Sequence, residues 1–172
     1  MRFLLFSLLF SLLSLACTSE PTAPVPEPVE PEVIPEISFD DRLLLDLTND
    51  LRTAGCTCGN EVMPPVAPLS WNERVDTAAA RHAADMHRHE ELSHTGSNGS
   101  DTGDRLVAAG YDWRAYAENV AYNYPDVEAV FQGWKTSPGH CRNLMNRDVR
   151  EMGFARSGAY WAQVFAARSG EL

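Results

Sequence analysis

An α+β domain is what this sequence predicts, and three observations carry the prediction. Apolar residues recur at helical spacing in the front half, first as Leu43, Leu44, Leu47 and Leu51, then as Val75, Ala78, Ala79, Ala83 and Met86. A β-compatible run lies mid-chain at residues 116–122. Two further runs, 152–156 and 160–166, close the chain around Ser157-Gly158-Ala159 in the manner of a hairpin. Helices first, strands interspersed and a hairpin last is the order of an α+β domain.

In chain order, Ser38 reads as an N-cap with Asp41 as the acidic residue at N3, and Gly55 as the stop of the helix it opens. Cys56-Thr57-Cys58-Gly59 then begins a loop that runs to Pro68. Ser70-Trp71-Asn72-Glu73 has the Ser-x-x-Glu form of a capping box. The helix behind it carries Val75, Ala78, Ala79, His82, Ala83 and Met86, ends near Glu90 or Glu91, and has alanines small enough for close packing. The small residues from Ser93 to Ser100 make either a surface loop or the wall of a cleft. A short helix over 103–109 is stopped by Gly110. Pro125 is placed to start a helix at N1, with Val127, Val130, Phe131 and Trp134 on its apolar side. Pro138-Gly139 reads as a tight turn with positive φ at the glycine, followed by a short helix over 140–146.

A chain of 172 residues suffices for one domain with appendages. Its net charge of -10 counts against nucleic acid, which needs clustered Lys and Arg. Residues 1–16 form a signal segment: Arg2 supplies the positive start, and the apolar run that follows is short for a membrane span. Its end, Leu13-Ser14-Leu15-Ala16-Cys17, resembles a bacterial lipobox, in which Cys17 would be acylated and anchor the mature chain to a membrane. The alternative is an ordinary signal peptide with an incidental cysteine. Thr18 stands where an inner-membrane retention Asp would stand, so in a diderm the address would be the outer membrane. Residues 17–37 then form a Pro/Glu-rich tether that stays extended, because proline favours polyproline II and the carboxylates repel one another. At about 3.1 Å per residue it reaches roughly 60 Å. The domain proper is 38–172.

Three stretches hold the chemistry: Leu92-Ser93-His94-Thr95-Gly96, Ala117-Glu118-Asn119-Val120-Ala121 and the segment from Gly133 to Met145 that contains Ser137, His140 and Cys141. From the residues alone, His94, Glu118 and His140 either share a pocket, or the histidines satisfy loop backbone while Glu118 pairs locally. Two imidazoles and a carboxylate suit Zn²⁺ or a similar divalent ion with one position left to water. His82, Asp85 and His89 are spaced along one helix as a surface metal site or as an exposed polar face. Asp104-Arg105 reads as cleft residues or as a local ion pair. No Ser-His triad stands out, since neither Ser93 nor Ser137 sits in a nucleophile-elbow context. Export would favour oxidation of cysteines. With Cys17 assigned to lipid, Cys56, Cys58 and Cys141 remain for one bridge.

These stretches, together with Tyr160-Trp161-Ala162-Gln163-Val164-Phe165, resemble the CAP superfamily of cysteine-rich secretory, antigen 5 and pathogenesis-related 1 proteins, in its bacterial secreted form. The similarity runs over about residues 40–167, with the motifs in the family's order. It implies an α-β-α sandwich around a central, mostly antiparallel sheet, with a cleft lined by histidine and acid. His94 and His140 correspond to the cleft histidines and Glu118 to the Glu-Asn glutamate. A second cleft glutamate has no counterpart, and Ser137 lies nearest its position. Cys58-Gly59 matches the bacterial Cys-Gly, which implies a Cys58–Cys141 bridge and leaves Cys56 as an odd thiol or as the alternative partner. The function that follows is a lipid-anchored binding module of the cell envelope, whose cleft takes a small ligand or divalent metal. The alternative is a metal-dependent envelope hydrolase or peptidase using His94, Glu118 and His140.

Overall fold

The computed structural model describes residues 37–170. The signal segment, Cys17 and almost all of the tether lie outside the described residues. Helices α1 (Phe39–Ala54), α2 (Glu73–His89), α3 (Thr102–Ala108), α4 (Val127–Thr136) and α5 (Pro138–Leu144) surround a sheet in three layers. Strand β1 (Cys56–Cys58) pairs with β2 (Glu61–Met63) as a separate hairpin. The main sheet takes β3 (Ser70–Trp71), β4 (Trp113–Tyr122), β5 (Glu151–Ser157) and β6 (Tyr160–Arg168) in the order β3-β5-β6-β4. Only the β3–β5 pair is parallel, so the sheet is mostly antiparallel, as the resemblance implied.

Strand alternation sorts the core into two halves. From β6, Trp161 and Phe165 join Leu44, Phe131, Trp134 and Leu144 beneath α1, α4 and α5. Ala162, Val164 and Ala166 face the other way and join Val75, Ala78, Ala79, Ala83 and Met86 of α2 with Leu106 of α3. The α2 alanines do permit close approach. At Gly153 of β5 a Cβ would stand 2.1 Å from the backbone nitrogen of Asp76, so only glycine fits under the helix there. The β5–β6 hairpin closes on Gly158, whose φ of 58° suits the first position of a two-residue hairpin turn.

Several local expectations shift. The buried face of α1 is Leu44, Leu45, Thr48, Leu51 and Arg52, with Leu43 and Leu47 at its margin. The loop expected after Cys56 contains the β1–β2 hairpin. Helix α2 is capped by Asn72, whose Oδ1 accepts from Arg74 and Val75, and not by Ser70. Ser70 is drawn into the sheet, where its N–H donates to the Arg150 carbonyl. Helix α4 is capped by Asp126, which leaves Pro125 outside it. Pro138-Gly139 is not a turn with positive φ: the two residues open α5, with Pro138 in the first turn where its missing N–H costs nothing. Ser38 caps α1 as expected, and Gly55 ends it with φ 75°.

Arg52 is wholly buried and ties the domain together. It donates to the carbonyls of Ala67, Leu144 and Asn146, fixing the segment before β3 and the end of α5. Among the described residues no helix is long and apolar enough to cross a membrane.

Candidate functional site

Glu118 and Asn119 are neighbours on β4, and the strand sends them to opposite faces of the sheet. That division builds the site. On the α2 and α3 side the Glu118 carboxylate is 3% exposed and both its oxygens are engaged. His94 Nδ1 lies 2.8 Å from Oε1, and Arg105 Nη2 donates to Oε2 at 2.7 Å. His82 Nε2 stands 3.7 Å from Oε1 and hydrogen-bonds the Ser93 carbonyl at 2.8 Å. Arg105 also donates to the carbonyls of Ser100 and His94 and to Thr102 Oγ1. One buried guanidinium thus fixes the glutamate and the loop that carries His94.

On the other side, Asn143 Nδ2 donates to the Glu118 carbonyl and to Asn119 Oδ1, both at 2.9 Å. Asn119 Nδ2 donates to Gln163 Oε1 at 3.2 Å and to the His140 carbonyl at 3.4 Å. Gln163 Nε2 continues the chain to Thr48 Oγ1 of α1. The disulfide between Cys58 and Cys141 pins the same turn of α5 to β1, with a Cα–Cα distance of 5.5 Å. His140 is therefore placed through its backbone, and its ring makes no hydrogen bond among the described residues.

The electrostatics follow this geometry. The Glu118 hydrogen bond holds the His94 pKa above its ordinary value, against the opposing effect of burial. Burial pushes Glu118 upward, but the His94 hydrogen bond and the Arg105 and His82 charges outweigh it and leave its pKa lowered. His140 is lowered, first by burial and then by the charge on His94. His82 is lowered by burial despite the nearby Glu118.

His94 is tied to Glu118 and the His140 backbone to Asn119, so both histidines are held against β4, in unequal roles. His94 Nδ1 bonds a carboxylate and the His140 ring bonds none of the described residues, so neither histidine serves merely to satisfy loop backbone. Ser137 joins α4 to α5, half-buried, and its side chain makes no cap hydrogen bond. His82 is not part of a surface metal site with Asp85 and His89. It is fully buried, while Asp85 accepts from the Ser97 backbone and hydroxyl. Arg105 pairs with Glu118 and not with Asp104, which instead completes a capping box with Asp101. The Cys58–Cys141 bridge is present and Cys56 is free.

A catalytic zinc site takes three protein ligands. His94 Nε2 and the His140 ring are two uncommitted imidazole donors, but the Glu118 oxygens are already held by His94 and Arg105. Among the described residues the one group of three donors within 4.8 Å of one another is Cys56, Cys58 and Cys141. As arranged, His94, Glu118 and His140 do not fit a three-ligand metal.

The sequence pattern of the cysteine-rich secretory protein family, CAP, fits residues 45–165. The chain belongs to the CAP family. This CAP domain is 32% identical over 128 residues to the uncharacterized membrane protein YlbC of Bacillus subtilis, covering 74% of this chain and 34% of that one. It is 25% identical over 103 residues to the uncharacterized protein YkwD of the same organism, covering 59% of this chain and 40% of that one. The chain thus spans only about a third to two fifths of these relatives. Among solved structures, an extracellular protein containing an SCP domain from Bacillus anthracis superposes with a TM-score of 0.66 at 28% identity, over 76% of this chain and 40% of that one. An outer surface protein of Borrelia burgdorferi shares the fold with a TM-score of 0.63 at 19% identity, over 74% of this chain and 92% of that one.

Proposed function

We propose that this CAP domain is a non-enzymatic binding module of the cell envelope, anchored through a lipid on Cys17, whose cleft receives a small ligand between His94 and His140. The observation that carries it is the His94–Glu118–Arg105 chain. A buried carboxylate, itself gripped by a guanidinium, orients an imidazole that is 58% exposed. Holding Nδ1 in this way presents Nε2 outward, which is how an outer-shell carboxylate aims a histidine at a metal or ligand. His140 adds a second imidazole whose ring is uncommitted among the described residues, and burial favours its neutral form. A divalent cation between the two rings is the metal version of the same reading, with Glu118 as an outer-shell group. The envelope location draws on the lipobox-like Leu13–Cys17 ending. It also draws on relatives described as membrane, extracellular and outer surface proteins.

A hydrolase using Glu118 as ligand or base would require that carboxylate to leave Arg105. Nothing in the arrangement favours this, since a charge freed there would stay buried and unpaired. The test is Zn²⁺ titration calorimetry on the full chain beside a His94→Ala/His140→Ala variant. Micromolar or tighter binding that the variant loses supports a site shared by both imidazoles. Equal, weak binding in both chains removes the metal version and leaves organic ligands to be screened.

A further inference from the structure

Three sulfurs converge where β1 meets α5. Residues two apart on a strand face the same side, so Cys56 and Cys58 both address Cys141. Cys58 and Cys141 are bonded across a separation of 83 residues, and Cys56 is a free, half-buried thiol. Its Sγ stands 3.7 Å from the Cys141 sulfur and 3.8 Å from the Cys58 sulfur. The bridge it touches is sealed, for Cys58 is 1% exposed and Cys141 is wholly buried.

We propose that Cys56 is a resident nucleophile for this bridge and that the three cysteines form a thiol–disulfide exchange site serving small thiols. Burial pushes the Cys56 thiol up, so it is the minor thiolate form, reached by proton loss to water, that attacks Cys141 Sγ. The Cys56–Cys141 bond forms, the Cys58–Cys141 bond breaks, and Cys58 departs as a thiolate that takes up a proton. Sulfur is neither oxidised nor reduced overall, so the step needs no co-reactant. Attack on Cys141 is favoured over attack on Cys58. A Cys56–Cys58 bond would join neighbours on one strand face roughly 6.8 Å apart at Cα, the outer limit for a disulfide. The Cys56 sulfur stands beside the Cys58–Cys141 bond, nearly equidistant from both sulfurs, so closing it onto Cys141 from 3.7 Å to about 2 Å requires it to swing into line behind that bond.

The exchange has a chemical consequence. The Cys58–Cys141 bridge cannot be reached by an external thiol, whereas the exchanged bridge contains the half-exposed Cys56 sulfur. A small dithiol attacks there: its first sulfur bonds Cys56 and releases Cys141 as a thiolate. Its second sulfur then displaces Cys56, giving a cyclic disulfide and leaving Cys56, Cys58 and Cys141 all as thiols. Cys56 is thus the port through which a buried staple is opened. Either bridge ties α5 to β1, so the exchange itself leaves the His140 turn anchored.

The experiment maps bridges in the folded full-length chain. After incubation and acid quench, which freezes exchange, the denatured chain is labelled with a maleimide under mildly acid conditions and digested. Label is expected on Cys56 with a smaller share on Cys58; label confined to Cys56 overturns the proposal. In Cys58→Ser, a Cys56–Cys141 bridge with neither residue labelled is expected, and label on both Cys56 and Cys141 in a folded chain overturns it. Should that variant not fold, Cys56→Ser decides. Its native bridge should be reduced by dithiothreitol slower than wild type on the order of tenfold, because the port is gone. An unchanged rate rules the port out.

Discussion

His94 and His140 are held by opposite means. His94 rests on charge: a buried carboxylate, a buried guanidinium and a second histidine beneath. His140 rests on neutral amides, Asn119, Asn143 and Gln163, and on a disulfide. The change occurs between adjacent residues of one strand, because Glu118 and Asn119 face opposite layers. An ionic cradle depends on protonation and is costly to break, since what remains is a buried charge. An amide ladder carries no charge and loses one hydrogen bond at a time. The ring aimed by charge is the one whose state should respond to pH, and the ring placed through backbone should respond to reduction.

The comparison is broken most severely at Arg105. Replacing it with Met leaves Glu118 buried beside two histidines without its cation. The expected cost is about 3–5 kcal/mol, read from denaturant melts of the full chain. The His94 resonance in NMR titration should move as well, while His140 holds its position. Equal disturbance of both rings would mean that the two cradles are not separate. The second break is at the staple. A Cys56→Ser/Cys58→Ser chain, which cannot form the alternative bridge, should lose about 2–5 kcal/mol, with His140 perturbed and His94 spared. Cys58→Ser alone should lose much less. A third, smaller break is Asn143→Ala, which strands the Glu118 carbonyl and Asn119 Oδ1. A loss of about 1–3 kcal/mol is expected, with weaker Zn²⁺ binding if His140 contributes. A neutral result would remove the amide ladder from the account.

What the sequence disclosed and what it hid divide along physical lines. The α2 face was legible because Val75, Ala78, Ala79, Ala83 and Met86 repeat at helical spacing, and all are buried. That same spacing already placed His82 on the inner face, four residues from both Ala78 and Met86. Grouping it with Asp85 and His89 as an exposed set went against the helix's own phase. The caps were harder. Ser70 and Asn72 both look like caps, and the choice was made by β3 pairing with a strand some eighty residues later. Arg105 was named, as a cleft residue or as half of a local ion pair, but its partner was not foreseen. Its neighbour Asp104 offered a local partner, and nothing near it in sequence signals a glutamate 13 positions on. Spacing rules see contacts one turn away, whereas the pairing that orients His94 is tertiary. Cys58 and Cys141 came from the family pattern, but the closeness of Cys56 to both sulfurs is visible only in three dimensions.

The subtlest way to sharpen the contrast is pH. The Glu118 hydrogen bond raises His94 above its ordinary 6.5, so its contribution is fully present below that value and fades as pH rises through the folded pKa. Glu118 is lowered from its ordinary 4.5, so its contribution is present above that value and fades as pH falls through its folded pKa. The His94–Glu118 pair should therefore help most between about pH 4.5 and 6.5. Because His94 is largely exposed and solvent screens the interaction, the effect should be small. The clean reading is the difference in melting temperature between wild type and His94→Ala across that range. The difference should be largest inside the window and shrink on both sides, whereas His140→Ala should show no such maximum, its ring being shifted the other way by burial. A flat His94→Ala difference would mean that the imidazole sits beside Glu118 without taking up a proton, and that the cradle aims a neutral ring.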